Sequence, residues 1–340
     1  MSPLSERPVI ISGAAGFIGF HLCMSLLAEG CSVIGIDSYT DHYDPTLKMA
    51  RDAILRQNPN YRSIRASVED PGVMTQLFAA ERPDVVIHLA AQAGVRYSLE
   101  HPRAYLHANL EAPFELLEAA RAHPPKHLLM ASTSSIYGAN TNMPYRETDK
   151  CDTQMSFYAA TKKAGEAMAH SYAHLYGLPI TMFRFFTVYG PWGRPDMAPY
   201  LFTRSILDGK PIRVFNHGDM RRDFTFVTDL VRAVRLLIDA VPGSDPVEGD
   251  SLSPVAPWRV VNIGNGDSVP LMDFIAAIED ATGVAAIKDL QPMQPGDVPA
   301  TWADNSLLRR LTGYAPTTDL RTGVGDYVRW FREYYPAGTA

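Results

Sequence analysis

Tyr158 and Lys162, in the segment Ser156-Phe-Tyr-Ala-Ala-Thr-Lys-Lys-Ala-Gly-Glu, form the residue pair with the clearest chemical potential in this chain. Residues four positions apart share one face of a helix. A positive charge at that distance favours phenolate over phenol, so the spacing predicts that Lys162 lowers the pKa of Tyr158 and makes it a base near neutral pH. The same spacing also occurs by chance on solvated helices, so the rest of the chain must supply the context.

The composition is that of an ordinary soluble globular protein. The chain has 340 residues, of which 46% are hydrophobic and 20% are charged, enough for one large or two modest domains. Its net charge of −6 gives no electrostatic footprint for nucleic acid or an anionic membrane. There is no long apolar run and no hydrophobic signal segment at the first residues. Three cysteines without metal-ligand spacing predict a reducing, cytoplasmic compartment and no metal site.

Short apolar runs alternate with segments of helical periodicity over the first 185 residues. Strands are predicted near residues 9–11, 33–37, 85–89, 128–131 and 180–185, and helices near 17–27, 73–80, 111–122 and 159–175. Near-continuous apolar strands separated by helices indicate a parallel sheet that is covered on both faces. A further helix over 227–240 and a strand over 259–263 predict that the chain returns to this sheet.

The first strand ends in a glycine pattern, Gly13-Ala-Ala-Gly16-Phe-Ile-Gly19. Between a strand and a helix, such a loop can cradle a dinucleotide diphosphate, with Phe17 and Ile18 at the start of the helix. Asp37 ends the second strand, where a carboxylate can accept the ribose hydroxyls and repel a 2′-phosphate, which favours NAD over NADP. The alternatives are a tight turn without ligand and a capping role for Asp37.

Hydroxyl groups follow the strand near residue 130, in Ser132-Thr133-Ser134-Ser135. Ligands bind at the carboxyl edge of open α/β sheets, so a hydroxyl there can donate to a sugar oxygen beside Tyr158. Serine and threonine clusters are also common in turns. Each of these features is weak evidence for a function by itself. The glycine loop, Asp37, the hydroxyls and the Tyr–Lys pair are a specific signal only when they occur together and in this order.

With these residues the chain resembles the extended short-chain dehydrogenase/reductase family of nucleotide-sugar enzymes over nearly its whole length. The matching residues are Gly13, Gly16, Gly19, Asp37, Thr133, Tyr158, Lys162 and the segment Arg222-Asp-Phe-Thr-Phe-Val-Thr-Asp. The resemblance implies a Rossmann-type doubly wound parallel sheet over residues 1–185 and about 225–263. It implies a smaller UDP-sugar-binding α/β region over about 186–224 and 264–340.

The same resemblance implies roles for the matching residues. Tyr158 is expected to be the general acid/base, Lys162 to contact the nicotinamide ribose of a tightly bound NAD, and Thr133 to bind the reacting sugar hydroxyl. The helices near 111–122 and 159–175 resemble those that form a homodimer in relatives.

A few positions distinguish the branches of this family. Members that dehydrate or decarboxylate a sugar carry an acidic residue beside the Thr133 position, whereas Ser134 and Ser135 stand here. Thr187 replaces an asparagine of many relatives, and short neutral donors with Arg194 nearby suit a substrate carboxylate. The resemblance is therefore to the branch that inverts C4 of UDP-glucuronic acid to give UDP-galacturonic acid through a 4-keto intermediate. Action on UDP-glucose or UDP-galactose, another nucleotide-sugar reaction, and a non-catalytic cofactor-binding role are the alternatives.

Charged residues near the nucleotide end complete the expected site. By resemblance, Arg222 is expected at the UDP diphosphate and Asp297 near the nucleotide. Arg96 could reach an anion from its loop, with a solvated surface cation as the alternative. Ser67 stands where many relatives have an aspartate toward the adenine, so no adenine contact is assigned to it.

Overall fold

Seven parallel strands form the central sheet. The computed structural model describes residues 6–243, 245–294 and 296–336. The strands of the protein are β1 Val9–Ser12, β2 Val33–Asp37, β3 Tyr61–Arg65, β4 Val85–His88, β5 His127–Thr133, β6 Ile180–Phe185, β7 Thr187–Tyr189, β8 Ile212–Val214, β9 Arg221–Arg222, β10 Phe224–Phe226, β11 Trp258–Ile263, β12 Val269–Pro270, β13 Lys288–Leu290 and β14 Ala300–Thr301. The central sheet has the order β11-β6-β5-β4-β1-β2-β3, with every neighbouring pair parallel. The predicted doubly wound fold is confirmed.

Helices connect the strands and cover both faces of the sheet. They are α1 Phe17–Ala28, α2 Thr46–Leu55, α3 Val73–Glu81, α4 Tyr97–Glu100, α5 Pro102–Leu106, α6 Ala112–Ala122, α7 Phe157–Tyr176, α8 Ala198–Leu207, α9 Val227–Leu237, α10 Leu271–Thr282, α11 Ser306–Thr312 and α12 Leu320–Tyr334. A π-helical turn over His107–Glu111 joins α5 to α6. Every predicted helix and strand is confirmed, with ends that differ by a few residues.

Alternate residues of each buried strand face opposite layers of helices. In β1, Ile11 packs with α1 and α9 on one side, and Ile10 packs with α3, α6 and α7 on the other. Both side chains are fully buried. This two-sided burial explains why the strand sequences read as continuous apolar runs.

The residues after β6 add an aromatic core beside the sheet. Tyr189, Phe224, Phe274 and Phe331 pack together between α8, α10 and α12. The short pairs β7–β10, β8–β13 and β12–β9–β14 join the segments of this region. The segments predicted for the sugar-binding region thus contact one another, while the predicted domain boundaries themselves stay a prediction.

Two expectations from composition can be compared with the structure. Cys23, Cys31 and Cys151 are all buried, and Cys23 and Cys151 are free thiols. Within the three described ranges, no helix is both long enough and apolar enough to cross a bilayer.

Candidate active site

One cleft at the carboxyl edge of the sheet collects all the residues that the sequence predicts for cofactor binding. It runs between the ends of β1, β2, β4 and β5, near the point where the strand order reverses, which is where open α/β sheets bind ligands. Among its lining residues are Gly13, Gly16, Phe17, Ile18, Gly19, Asp37, Tyr158 and Lys162.

The glycine loop is shaped by contacts that leave no room for side chains. Gly13 has a φ of +72°, and a Cβ there would lie 2.8 Å from the backbone nitrogen of Ala90. A Cβ on Gly19 would lie 2.0 Å from the carbonyl oxygen of Gly13. Helix α1 starts at Phe17 without a side-chain cap, so no side chain occupies its first amides, and the residues of this first turn line the cleft. The loop therefore fits the diphosphate of a dinucleotide.

Asp37 holds the loops around it while it lines the cleft. Its Oδ2 accepts a hydrogen bond from the Ala15 amide at 3.0 Å, and its Oδ1 accepts one from the Tyr39 amide at 2.9 Å. The structural role that the sequence allowed is thus present. Each carboxylate oxygen can accept a further hydrogen bond, so the same group can still bind ribose hydroxyls.

Tyr158 and Lys162 occupy adjacent turns of α7 at the inner end of the cleft. The helix begins after Ser156, whose Oγ accepts a hydrogen bond from the Ala159 amide at 3.1 Å. The ring of Tyr158 packs edge-on against Tyr105, with the centroids 5.9 Å apart. The predicted helical placement of the pair is confirmed.

The prediction that Lys162 lowers the pKa of Tyr158 is wrong for this structure. Burial raises the pKa of Tyr158, and the groups that oppose this rise are the Thr133 hydroxyl and the Arg194 guanidinium. Burial also lowers the pKa of Lys162 to about 8, against the opposing charge of Glu166. The spacing placed the two side chains correctly, but it did not account for the cost of burying their charged forms.

A buried network beneath the pair was not predicted. Glu166, one turn after Lys162, accepts a hydrogen bond from Ser132 Oγ at 2.7 Å. Arg184 on β6 donates to both carboxylate oxygens of Glu166, at 3.0 and 2.9 Å. These bonds tie the end of β5, helix α7 and strand β6 together. Two features of the sequence could have indicated this network. They are a glutamate on the same helix face as Lys162 and an arginine within an otherwise apolar strand.

Asn109 fixes a second wall of the cleft from within the π-helical turn. Its Oδ1 accepts from the Gln92 amide at 2.9 Å, and its Nδ2 donates to the Gln92 carbonyl at 3.0 Å and to Thr161 Oγ1 at 3.1 Å. Gln92 lines the cleft, and Thr161 precedes Lys162. The π-helical turn itself was not predicted from the sequence.

A second cavity opens beside the cleft and brings together the residues expected at the sugar. Thr133, Ser134, Ser135, Thr187 and Arg194 all line it. Tyr158 and Arg194 line both cavities, and the two spaces therefore meet at these side chains.

Arg194 is held in place by its neighbours. Its Nε and Nη2 donate to the two oxygens of Asp196 at 3.0 and 2.6 Å, and Nη2 also donates to the Ala93 carbonyl at 3.3 Å. Its Nη1 has no partner among the residues that the structure describes. The guanidinium is thus oriented while one nitrogen stays available to an anion.

A third cavity continues from the hydroxyls toward the nucleotide end. Arg222, Asp297, Ser134 and Thr187 are among its lining residues. Buried Asp223 anchors this wall by accepting from the amides of Asn265, Gly266 and Ala303, and from the hydroxyl of Thr225, at 2.7 to 3.1 Å. The sequence motif contained Asp223, but no role was assigned to it.

Arg96 lies at the outer mouth and not on the cavity wall. Its Nη2 is 3.1 Å from Asp297 Oδ2, its guanidinium stacks 4.3 Å from the Phe215 ring centroid, and its side chain is 54% exposed. Arg96 is thus an exposed cation paired with a residue of the third cavity, and its predicted reach to an anion stays a prediction.

Known proteins resemble this chain over most of its length. The sequence model of the family described as NAD dependent epimerase/dehydratase matches residues 9–249. A Rhizobium meliloti (strain 1021) protein named "Probable UDP-glucuronate 4-epimerase" is 50% identical over 331 residues, covering 96% of this chain and 97% of that protein. The Arabidopsis thaliana protein named "UDP-glucuronate 4-epimerase 4" is 46% identical, covering 96% of this chain and 76% of that one.

A solved structure shows the same likeness in three dimensions. The crystal structure of UDP-glucuronic acid 4-epimerase from Bacillus cereus, in complex with UDP-glucuronic acid and NAD, superposes with a TM-score of 0.86. The two sequences are 32% identical, and the match covers 96% of this chain and 100% of that one.

Proposed function

The chain belongs to the NAD dependent epimerase/dehydratase family, and we propose from this that it inverts C4 of UDP-glucuronic acid to give UDP-galacturonic acid, with NAD as its cofactor. One observation carries the proposal. Tyr158 and Arg194 stand where the dinucleotide cleft meets a cavity lined by hydroxyl groups. A base and a cation at that junction suit a sugar that is oxidised at one carbon and carries a carboxylate on the next.

The cofactor would be held by residues of the cleft. The amides at the start of α1 suit its diphosphate, Asp37 suits a ribose of its adenosine half, and Lys162 suits the ribose next to the nicotinamide. When bound, NAD supplies the chemistry of removing a hydride from C4 and returning it.

Tyr158 is the proposed general acid/base. It takes the proton of the C4 hydroxyl as that carbon is oxidised and returns the proton after the sugar has presented its other face. The Thr133 hydroxyl and the Arg194 charge both favour the phenolate that this step requires. Thr133 is therefore proposed to act on the base as well as to bind the reacting hydroxyl.

We propose that the substrate carboxylate binds to Arg194 and to a set of hydroxyl groups around it. These hydroxyls belong to Thr133, Ser134, Ser135 and Thr187. Oxidation at C4 turns a uronic acid into a β-keto acid, which loses CO2 when the carboxylate bond aligns with the carbonyl π system. Several directional donors around the carboxylate can hold that bond out of alignment. At the far end, Arg222 is proposed to bind the UDP diphosphate, with Asp297 nearby at the nucleotide and Arg96 at the mouth.

Incubation of the purified protein with UDP-glucuronic acid, without added NAD, tests this function. We expect UDP-galacturonic acid to form, because the cofactor is regenerated within each turnover and is retained. Tyr158→Phe should lower kcat by about 10²-fold to 10⁴-fold, since it removes the proton acceptor but keeps the ring. Preferential turnover of UDP-glucose would assign a neutral sugar instead. An absence of turnover with every UDP-sugar, with NAD added, would support a non-catalytic cofactor-binding protein.

We also propose that the enzyme is a cytoplasmic homodimer. Buried cysteines, of which Cys23 and Cys151 are free thiols, suit a reducing compartment. The proposed dimer face is the outer surface of α5, α6 and α7, where Leu106, Phe114 and Leu175 are exposed apolar side chains.

A further inference from the structure

We propose that Arg51 is a positioning residue that couples the cofactor loop to the loop that carries Arg194. Arg51 lies on α2 and is fully buried. Its Nη1 donates to the carbonyl oxygen of Ala15, inside the glycine loop, at 3.0 Å, and to Tyr43 Oη at 3.2 Å. Its Nη2 donates to the carbonyl oxygen of Trp192, two residues before Arg194. One planar guanidinium thus bridges two loops that are far apart in sequence.

Among the residues that the structure describes, no carboxylate forms an ion pair with Arg51. Its acceptors are two backbone carbonyls and a phenol, and its Nε makes no hydrogen bond. A buried cation is costly unless its charge is compensated. The Ala15 peptide lies two residues before the start of α1, whose uncapped first amides suit a diphosphate, so a bound dinucleotide would bring negative charge close to the place where Arg51 is attached. Arg51 therefore favours the loop with an anion bound over the empty loop.

The loop held at the other end is conformationally constrained. Gly190 has a φ of +143° and Trp192 has a φ of +61°, which is unusual for a residue with a side chain. Two other side chains also hold this loop, since His21 Nε2 donates to the Pro191 carbonyl at 2.8 Å and His42 lies 3.3 Å from Asp196. Only Arg51 among these three bonds to the glycine loop as well.

Loss of the bridge is expected to act at both ends. Without a donor to its carbonyl, the Trp192 peptide can rotate out of its left-handed conformation, and Arg194 then shifts away from Tyr158 and the sugar cavity. This role for Arg51 rests on the proposed NAD-dependent function. NAD retention can nevertheless be measured whatever sugar the enzyme converts.

Three variants distinguish the effect of the Arg51 charge from the effect of its hydrogen-bond bridge and from general anchoring of the loop that carries Arg194. Arg51→Met removes both charge and bridge, and Arg51→Lys keeps the charge but cannot span two carbonyls. His21→Phe removes a bond to the neighbouring carbonyl in the same loop and is the matched control. The readouts are NAD per chain after gel filtration, the rate of NAD loss on dilution, the KM for UDP-glucuronic acid at saturating NAD, and circular dichroism to confirm folding.

Arg51→Met should lose NAD about 10-fold faster and raise the KM about 10-fold. Arg51→Lys should retain NAD within about threefold of wild type while raising the KM, and His21→Phe should stay within about threefold in both readouts.

Wild-type NAD retention together with a wild-type KM in Arg51→Met would overturn the proposal. Equal defects in His21→Phe would also overturn it, by showing general loosening of the loop. If Arg51→Met does not fold, Arg51→Lys decides: a KM within about twofold of wild type would refute the bridge. A wild-type enzyme inactive on UDP-glucuronic acid would contradict the proposed function, with NAD retention still testing Arg51.

Discussion

At the scale of single residues, Arg194 is the side chain whose environment bears most directly on the identity of the sugar. Asp196 orients its guanidinium and offsets part of its charge, while one nitrogen remains available to a ligand. The hydroxyls of Thr133, Ser134, Ser135 and Thr187 line the same cavity and carry no charge. A substrate carboxylate would therefore meet one oriented cation and a set of neutral donors, which favours fixed orientation over strong attraction.

Replacing Arg194 or Thr187 should allow the oxidised intermediate to lose CO2. Arg194→Met and Thr187→Val are expected to raise the fraction of substrate released as a pentose by about 10-fold. A factor of this size corresponds to the loss of one charge-assisted hydrogen bond. Product analysis after incubation with UDP-glucuronic acid measures that fraction. Arg96→Gln, at the mouth of the site, is the control and should leave the fraction unchanged. An unchanged product ratio in both site variants would show that these residues do not hold the carboxylate.

The residue types of the site were predictable from the sequence because each follows a strand or shares a helical turn with another. Gly13, Asp37, Thr133 and Tyr158 all lie at positions that the strand–helix alternation brings to one sheet edge. The pKa of Tyr158 was not predictable, because burial is a property of the assembled cavity. Arg51 was missed for the same reason, since its acceptor on Trp192 is 141 residues away.

At the scale of secondary structure, the ion pair between Glu166 and Arg184 fastens the catalytic helix to the sheet. Both side chains are almost completely buried, and Arg184 also donates to the Tyr137 hydroxyl at 3.0 Å. Although burial acts to raise the pKa of Glu166, Arg184 outweighs it, and the pKa of Glu166 lies below its usual value. The ionised carboxylate therefore stabilises the folded protein.

Glu166→Gln should destabilise the protein by roughly 3 to 5 kcal/mol at neutral pH, because it leaves Arg184 buried without a counter-charge. Since the pKa of Glu166 is lower in the folded than in the unfolded state, its contribution is present above about pH 4.5 and is lost as the pH falls further. Urea unfolding at pH 7 and at lower pH measures the difference between variant and wild type. Asp326→Asn, which breaks an exposed pair with Arg329, is the control and should cost less than about 1 kcal/mol. An equal cost in the two variants, or a difference for Glu166→Gln that does not shrink at low pH, would contradict this role.

Two elements that the sequence did not predict, β3 and α2, lack a continuous apolar pattern. β3, Tyr-Arg-Ser-Ile-Arg, lies at the edge of the sheet and is only partly buried, so its sequence lacks the apolar run of the central strands. Helix α2 has no side-chain cap and buries the polar residues Lys48, Arg51 and Asp52. Tertiary contacts stabilise both elements, and a local pattern cannot report such contacts.

At the scale of the whole molecule, the order of the strands explains why the two proposed ligands meet. The first half of the sheet supplies the glycine loop and Asp37, and β5 and β6 supply the hydroxyls and the start of β7. Tyr158 on α7 stands between these halves and lines both spaces. The cofactor and the sugar can therefore bind from opposite sides of one catalytic side chain.

The outer face of α5, α6 and α7 should bury a second copy of the chain. Leu106 and Phe114 are eight residues apart on the run from α5 through the π-helical turn to α6, and they are 36% and 45% exposed. Exposed apolar side chains beside one another on packed helices are typical of an interface. Light scattering at micromolar concentration should give a dimeric mass for wild type and a monomeric mass for the folded double variant Leu106→Glu/Phe114→Glu. Met49→Glu changes an equally exposed apolar residue on α2 and should remain dimeric. A monomeric wild type would refute the homodimer. A dimeric double variant would place the interface on another face, because buried glutamates at this contact would oppose association by charge repulsion and by the cost of their desolvation.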